Sequence, residues 1–268
     1  MAVIALIDTG THPGIRAVER LAFGQYPQGI WDETGHGTMM ARLIHRWAPD
    51  AQLYSLKSYH RDLNESRERL KAALGWVTDN TAADVVMIAQ AVLGPDEVLH
   101  ALVHDLASHG VTIVAAAMGL VMPGGERRDP WGPDRHPETA DDAYPGAYPE
   151  AFCVTAAETR YRLTDSAATG WAVDLAAPGA NLVVADHTNT TRTIGGASTA
   201  CAYVSAELAR LYDRHQPTRD AIGAREMMAK CLLQCRTQDE GVPILWNSMR
   251  TMFPIRMPWS ALAKQWGE

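Results

Sequence analysis

Three short windows in this 268-residue chain set a reactive side chain among glycines and small residues: Ile7-Asp8-Thr9-Gly10, Gly35-His36-Gly37-Thr38 and Gly195-Gly196-Ala197-Ser198-Thr199-Ala200. Each alone has an ordinary explanation. Asp8 reads as a turn residue after an apolar run, His36 as a helix-start residue and Ser198 as a helix cap. Together they share one chemical logic. A serine hydroxyl is a poor nucleophile until an imidazole removes its proton, and that imidazole needs a carboxylate to hold its tautomer and stabilise its charge. The unpaired N–H groups of a helix opening at Ser198 also suit an oxyanion. Asp8, His36 and Ser198 are therefore the candidate acid, base and nucleophile. Cys201 lies one helical turn beyond Ser198 and reads as core.

These residues need a scaffold that brings them together. Apolar runs of strand length alternate with amphipathic stretches, which predicts an α/β fold with a parallel sheet and helices on both faces. Strands are expected over 2–7, 52–58, 84–93, 111–117, 151–157 and 180–185, and helices over 35–47, 63–80, 95–109, 198–215 and 220–235. The reactive residues then fall at the ends of elements, where ligand sites of such sheets occur. Residues 119–146, rich in Pro and Gly, read as a long loop acting as a lid or insertion. No linker divides the chain, so one domain over 1–240 is expected, with the Trp/Met/Pro-rich tail 241–268 packed on it.

Composition narrows the function classes. Hydrophobic residues make up 47% and charged residues 21%, ordinary for a globular protein. The net charge of −7, without a Lys/Arg-rich block, argues against nucleic acid as a partner. No apolar run approaches the roughly 18 residues of a membrane span. The N-terminus does not read as a signal peptide, so a cytoplasmic location is expected. Four cysteines, Cys153, Cys201, Cys231 and Cys235, read as buried thiols of a reducing compartment. Cys231 and Cys235 share a helix face, but no second pair or His cluster completes a metal site, and neither a metal nor a cofactor is expected.

The three windows, in the order Asp, His, Ser, resemble the motifs of the subtilisin-like serine peptidases. The resemblance extends through Ala48-Pro49-Asp50-Ala51-Gln52-Leu53-Tyr54, Gly110 to Ala117, Tyr144 to Pro149 and Asp174-Leu175-Ala176-Ala177-Pro178-Gly179, and covers about residues 2–212. It implies a three-layer α/β/α fold with a mostly parallel central sheet. It also implies a serine endopeptidase that acts on a peptide or protein through an acyl-enzyme, with Asp8, His36 and Ser198 as its triad.

The chain departs from that family at places that matter for catalysis. Where relatives carry Gly-Asn after the strand resembling 111–117, with the Asn donating to the oxyanion, this chain has Met118-Gly119. Losing such a donor costs about 2.7–4 kcal/mol, a magnitude drawn from subtilisin itself. Gln90, Arg127, Arg128 and His136 are candidate replacements. Met118 and Leu93 stand where relatives have small residues, near Gln90 and Ala91, and are expected to shrink the specificity pocket and favour small side chains on the acyl side of the scissile bond. The calcium-wrapping insertion of many relatives is expected to be absent. Asp8 lies so close to Met1 that no prosegment is expected, which suggests narrow specificity for a dedicated precursor peptide or partner protein. The alternative is a catalytically impaired scaffold that binds a peptide or protein. Acyl transfer to an amine is a further use of the same intermediate.

Overall fold

The apolar run Val3–Asp8 is buried over almost its whole length and forms the strand on which the sheet is built. The computed structural model describes residues 1–25, 29–118, 140, 143–235, 237–239 and 241–246. In chain order its elements are β1 (Val3–Asp8), β2 (Glu19–Ala22), α1 (His36–Trp47), β3 (Gln52–Lys57), α2 (Leu63–Asn80), β4 (Val85–Ile88), β5 (Val92–Leu93), α3 (Glu97–Ser108) and β6 (Thr112–Ala116). They continue with β7 (Ala143–Tyr144), β8 (Ala151–Thr159), β9 (Arg162–Leu163), β10 (Leu175–Pro178), β11 (Leu182–Ala185) and β12 (Thr191–Ile194). The last are α4 (Ala197–His215), α5 (Ala221–Leu232), β13 (Thr237–Asp239) and β14 (Val242–Ile244).

The main sheet runs β13-β14-β10-β8-β6-β4-β1-β3-β2, and β9 pairs with β8. All its pairings are parallel except β13–β14 and β8–β9. Alternation along β1 explains the layers: Ile4 and Leu6 join the core under α1 and α4, while Ala5 and Ile7 join the core under α2 and α3. Ile4 and Ile7 are wholly buried, each gaining about 1.5–3 kcal/mol from burial. Met227 and Cys231 of α5 belong to the α1/α4 side. The result is the expected three-layer α/β/α fold with a mostly parallel sheet.

Helix starts separate into two kinds. Asp62, Asp96 and Asp220 cap α2, α3 and α5 by accepting from first-turn N–H groups. The helices α1 and α4 instead follow Gly35 (φ 87°) and Gly196 (φ 115°), which have no side chain to cap with. These are the two helices that carry His36 and Ser198.

Three local expectations differ from the structure. The single strand expected over 84–93 is two: β4 stays in the sheet only to Ile88, where its pairing with β1 and β6 ends, and β5 pairs antiparallel with β7. The strand expected over 180–185 forms a separate hairpin with β12, because β10 already fills the place beside β8. The short strands β2, β10, β13 and β14 were not foreseen. Residue Ile244 of β14 pairs with Ala176 of β10, so the chain beyond 240 supplies a sheet strand. The rest of the tail, 247–268, and most of the segment 119–146 lie outside the described residues.

Candidate active site

Asp8 ends β1 and is 3% exposed. Its carboxylate accepts from the Thr9 N–H at 2.6 Å and from His36 Nδ1, which lies 2.7 Å from Oδ1 and 2.9 Å from Oδ2. A carboxylate only accepts, so Nδ1 carries the proton and Nε2 is left as the base in the neutral ring. The close start of α1 against β1 requires glycine at 37, where a Cβ would collide with the Gly10 carbonyl oxygen. Burial works against a charged His36. The charge and hydrogen bond of Asp8, with the further charge of Asp32, outweigh it and raise the His36 pKa above its ordinary 6.5.

Asp32 is the residue that sequence reasoning missed. It is buried, and its Oδ1 accepts from Thr9 Oγ1 (2.9 Å), the Thr34 N–H (3.0 Å), Thr34 Oγ1 (3.3 Å) and the Gly35 N–H (2.8 Å). Its Oδ2 accepts from the Thr38 N–H (2.8 Å) and Thr38 Oγ1 (2.6 Å). Thr9 Oγ1 in turn accepts from the Gly37 N–H at 2.9 Å, and Thr34 Oγ1 from the His36 N–H at 3.2 Å. One carboxylate thus ties the loop after β1 to the opening of α1 and supplies the caps Gly35 cannot. A negative charge there also suits the helix dipole. The available signal was an acid four residues before His36, together with threonines at 9, 34 and 38.

Ser198 is the second residue of α4 and is half-buried. Its Oγ donates to the Ala89 carbonyl oxygen at 3.4 Å, just past the end of β4. No hydrogen bond joins Ser198 to His36 among the described residues. The two side chains nevertheless stand at the carboxyl ends of neighbouring strands, β1 and β4. This is where the strand order reverses, β2 and β3 lying to one side of β1 and β4 onward to the other. No side chain caps α4, which leaves its first N–H groups to a ligand or to water.

Beside Ser198 lies a cavity of about 210 Å³ lined chiefly by alanines, among them Ala89, Ala91, Ala117, Ala156 and Ala168. Gln90 and Met118 also line it. A more open groove of about 390 Å³ shares Ser166 and Gly196 with this cavity, so the two meet next to Ser198. Leu93, expected to narrow the cavity, does not line it, because β5 carries Leu93 away to pair with Ala143. The Gln90 amide is engaged elsewhere: Oε1 accepts from Ser58 Oγ at 3.1 Å and Nε2 donates to the Ser66 carbonyl at 3.5 Å. Gly119 and the candidate donors Arg127, Arg128 and His136 lie outside the described residues.

Cys201 is wholly buried, and burial pushes its thiol well above the ordinary range, so it offers no thiolate to compete with Ser198. Among the described residues no group of three or more His, Cys, Asp or Glu side chains is placed to hold a metal ion. None of the described helices is long and apolar enough to cross a membrane.

The chain resembles known proteins over most of its length. The model of the subtilase family matches residues 2–242. The chain is 26% identical over 245 residues to the minor extracellular protease Epr of Bacillus subtilis (strain 168), a match covering 87% of this chain and 35% of that protein. It is 24% identical over 217 residues to subtilisin BL of Lederbergia lenta, covering 77% and 74%. The match therefore spans about a third of the first relative and about three-quarters of the second. Among solved structures, a cold adapted subtilisin-like serine proteinase is similar with a TM-score of 0.73 at 19% identity, covering 93% of this chain and 89% of that one. MycP1 with the N-terminal propeptide removed is similar with a TM-score of 0.71 at 22% identity, covering 90% and 86%. At these identities the structural likeness shows the fold.

Proposed function

The chain belongs to the subtilase family, and from that premise we propose that it is a serine endopeptidase in which Ser198 is the nucleophile, His36 the general base and Asp8 the residue that orients and charges the base. The observation that carries this reading is the grip of Asp8 on His36 Nδ1 at 2.7 Å, with Ser198 at the same end of the sheet. Ser198 turns from the Ala89 carbonyl to His36 Nε2, gives up its proton there and attacks the peptide carbonyl carbon. N–H groups at the start of α4 receive the oxyanion. His36 then passes the proton to the leaving amine, and water hydrolyses the acyl-enzyme by the same route.

The alanine-lined cavity next to Ser198 supports a small residue on the acyl side of the scissile bond. The substrate is a peptide or protein, with a dedicated precursor peptide or partner as the narrower reading. Four free, buried cysteines support a reducing, cytoplasmic setting.

A fluorophosphonate probe tests the assignment. The wild-type protein is expected to be modified at Ser198 and the Ser198→Ala variant left unmodified. A wild-type protein that resists the probe, or carries it elsewhere, sinks the reading. Tight peptide binding without turnover, indifferent to Ser198→Ala, would instead mark a binding scaffold.

A further inference from the structure

The cavity beside Ser198 is walled chiefly by alanines, and one of its lining residues carries a buried hydroxyl with no hydrogen-bond partner among the described residues. Thr155 lies on β8, is 0% exposed and lines the cavity, and among the described residues its Oγ1 has no hydrogen-bond partner. Its direction follows from the strand period. Phe152 and Val154 enter the core under α1 and α4, whereas Cys153 packs with Ala117 and Ala168 on the opposite face. Thr155, two residues past Cys153, projects on that same face, where Ala117 and Ala168 wall the cavity. Valine would fill this place with the same shape and no polar atom, and a buried unpaired hydroxyl is costly to keep.

We propose that Thr155 is a specificity-determining residue whose hydroxyl bonds a short hydroxyl- or amide-bearing side chain on the substrate residue that fills this cavity. The proposal rests on Ser198 being the nucleophile, since that makes the cavity the seat of the acyl-side residue. The alanines set the size of the guest and Thr155 its polarity. Among the described residues no hydrogen bond holds the Thr155 rotamer, so rotation about χ1 to meet a guest breaks none of theirs. An apolar guest of equal size would leave the hydroxyl unpaired, which is the condition under which a hydrogen-bonding site discriminates against an isostere.

The test uses binding as well as turnover, so that the specificity and the chemistry can fail separately. Blocked peptide amides Ala-Ala-Ala-Thr and Ala-Ala-Ala-Val, identical but for a hydroxyl exchanged for a methyl, are titrated calorimetrically into the full-length Ser198→Ala protein. The threonine peptide is expected to bind roughly ten-fold more tightly. Adding Thr155→Val should bring the ratio close to one, and adding Thr155→Ser should keep the preference, with cooperative thermal melts showing that both fold and with Thr155→Val melting no lower than its parent. Equal affinities in the Ser198→Ala protein, binding of neither peptide, or a preference that survives Thr155→Val overturns the proposal even if the wild-type protein cleaves peptides. A preference that Thr155→Val abolishes supports it even if the fluorophosphonate leaves Ser198 unlabelled.

Discussion

Ser198 Oγ donates to the Ala89 carbonyl oxygen at 3.4 Å, while His36 is bound to Asp8 and makes no hydrogen bond to the serine. Such a contact is longer than an ordinary O–H···O hydrogen bond, so turning Ser198 toward His36 gives up little. The free-state properties of His36 then belong to its acidic neighbours and not to Ser198. The His36 pKa, read by NMR titration of the ring protons, is expected to be the same in the wild-type and Ser198→Ala proteins. A clear change on removing the hydroxyl would show that the two side chains are already bonded.

The acid limb of the pH profile tests Asp8. His36 accepts a proton only when neutral, so activity should appear as pH rises through its raised pKa, with a midpoint above 6.5. In Asp8→Asn that midpoint should fall, and kcat/KM should drop by about 10⁴-fold as the tautomer hold is lost. Stability has the opposite sense: a folded pKa above the unfolded value stabilises the protein below pH 6.5, and that contribution fades as pH rises through the folded pKa. An acid limb at or below 6.5 in the wild-type protein would contradict the account.

Asp32→Asn should have two effects that a merely structural residue would not combine. One oxygen becomes an NH₂ that cannot accept from Thr9, Thr34 and Gly35 or from Thr38, so about 1–3 kcal/mol of stability should be lost. Removing the charge should also lower the His36 pKa. Thermal melts and NMR titration read the two effects separately, and a loss of stability with no change in the His36 pKa would reduce Asp32 to a structural tie.

Met118 contributes the largest apolar side chain to the wall of the cavity by Ser198. Met118→Gly should admit larger acyl-side residues, raising kcat/KM for a leucine peptide relative to an alanine peptide by roughly ten-fold. An unchanged ratio would place the acyl-side residue elsewhere.

Asp174 lies just before β10, half-buried, with the Cys153 N–H donating to its Oδ2 at 2.8 Å. Burial pushes its pKa up to about 7, far above the usual carboxylate value. A raised carboxyl pKa means that the folded state holds the proton longer than the unfolded chain, so stability falls as pH climbs from about 4 to about 7. Asp174→Asn keeps an acceptor for Cys153 and should raise the melting temperature at pH 8 while changing little at pH 4. Equal shifts at both pH values would count against a protonated Asp174.

Much of the fold was legible along the chain because it depends on local period. The helix over 63–80 appears with those bounds, and β1, β3, β6 and α4 lie within a residue or two of expectation. Misreadings fall where pairing partners decide. Residues 84–93 form one apolar run, but only Val85 to Ile88 have neighbours on both sides, and β10 is a four-residue strand ending in Pro178 that pattern alone does not mark.

The sequence by itself determined the three reactive residue types, their order along the chain, and the alternation of strands and helices that sends them to one end of a sheet. Those are properties of side-chain chemistry and of periods of about 2 and 3.6 residues. Only the tertiary structure decided that Asp32 joins two loops, that Gln90 is committed to Ser58 and Ser66, that Leu93 leaves the cavity while Thr155 enters its wall, and that Ser198 rests on Ala89. Such relations depend on tenths of an ångström between residues distant in the chain, because a hydrogen bond forms or fails over that range, and no local pattern carries information at that scale.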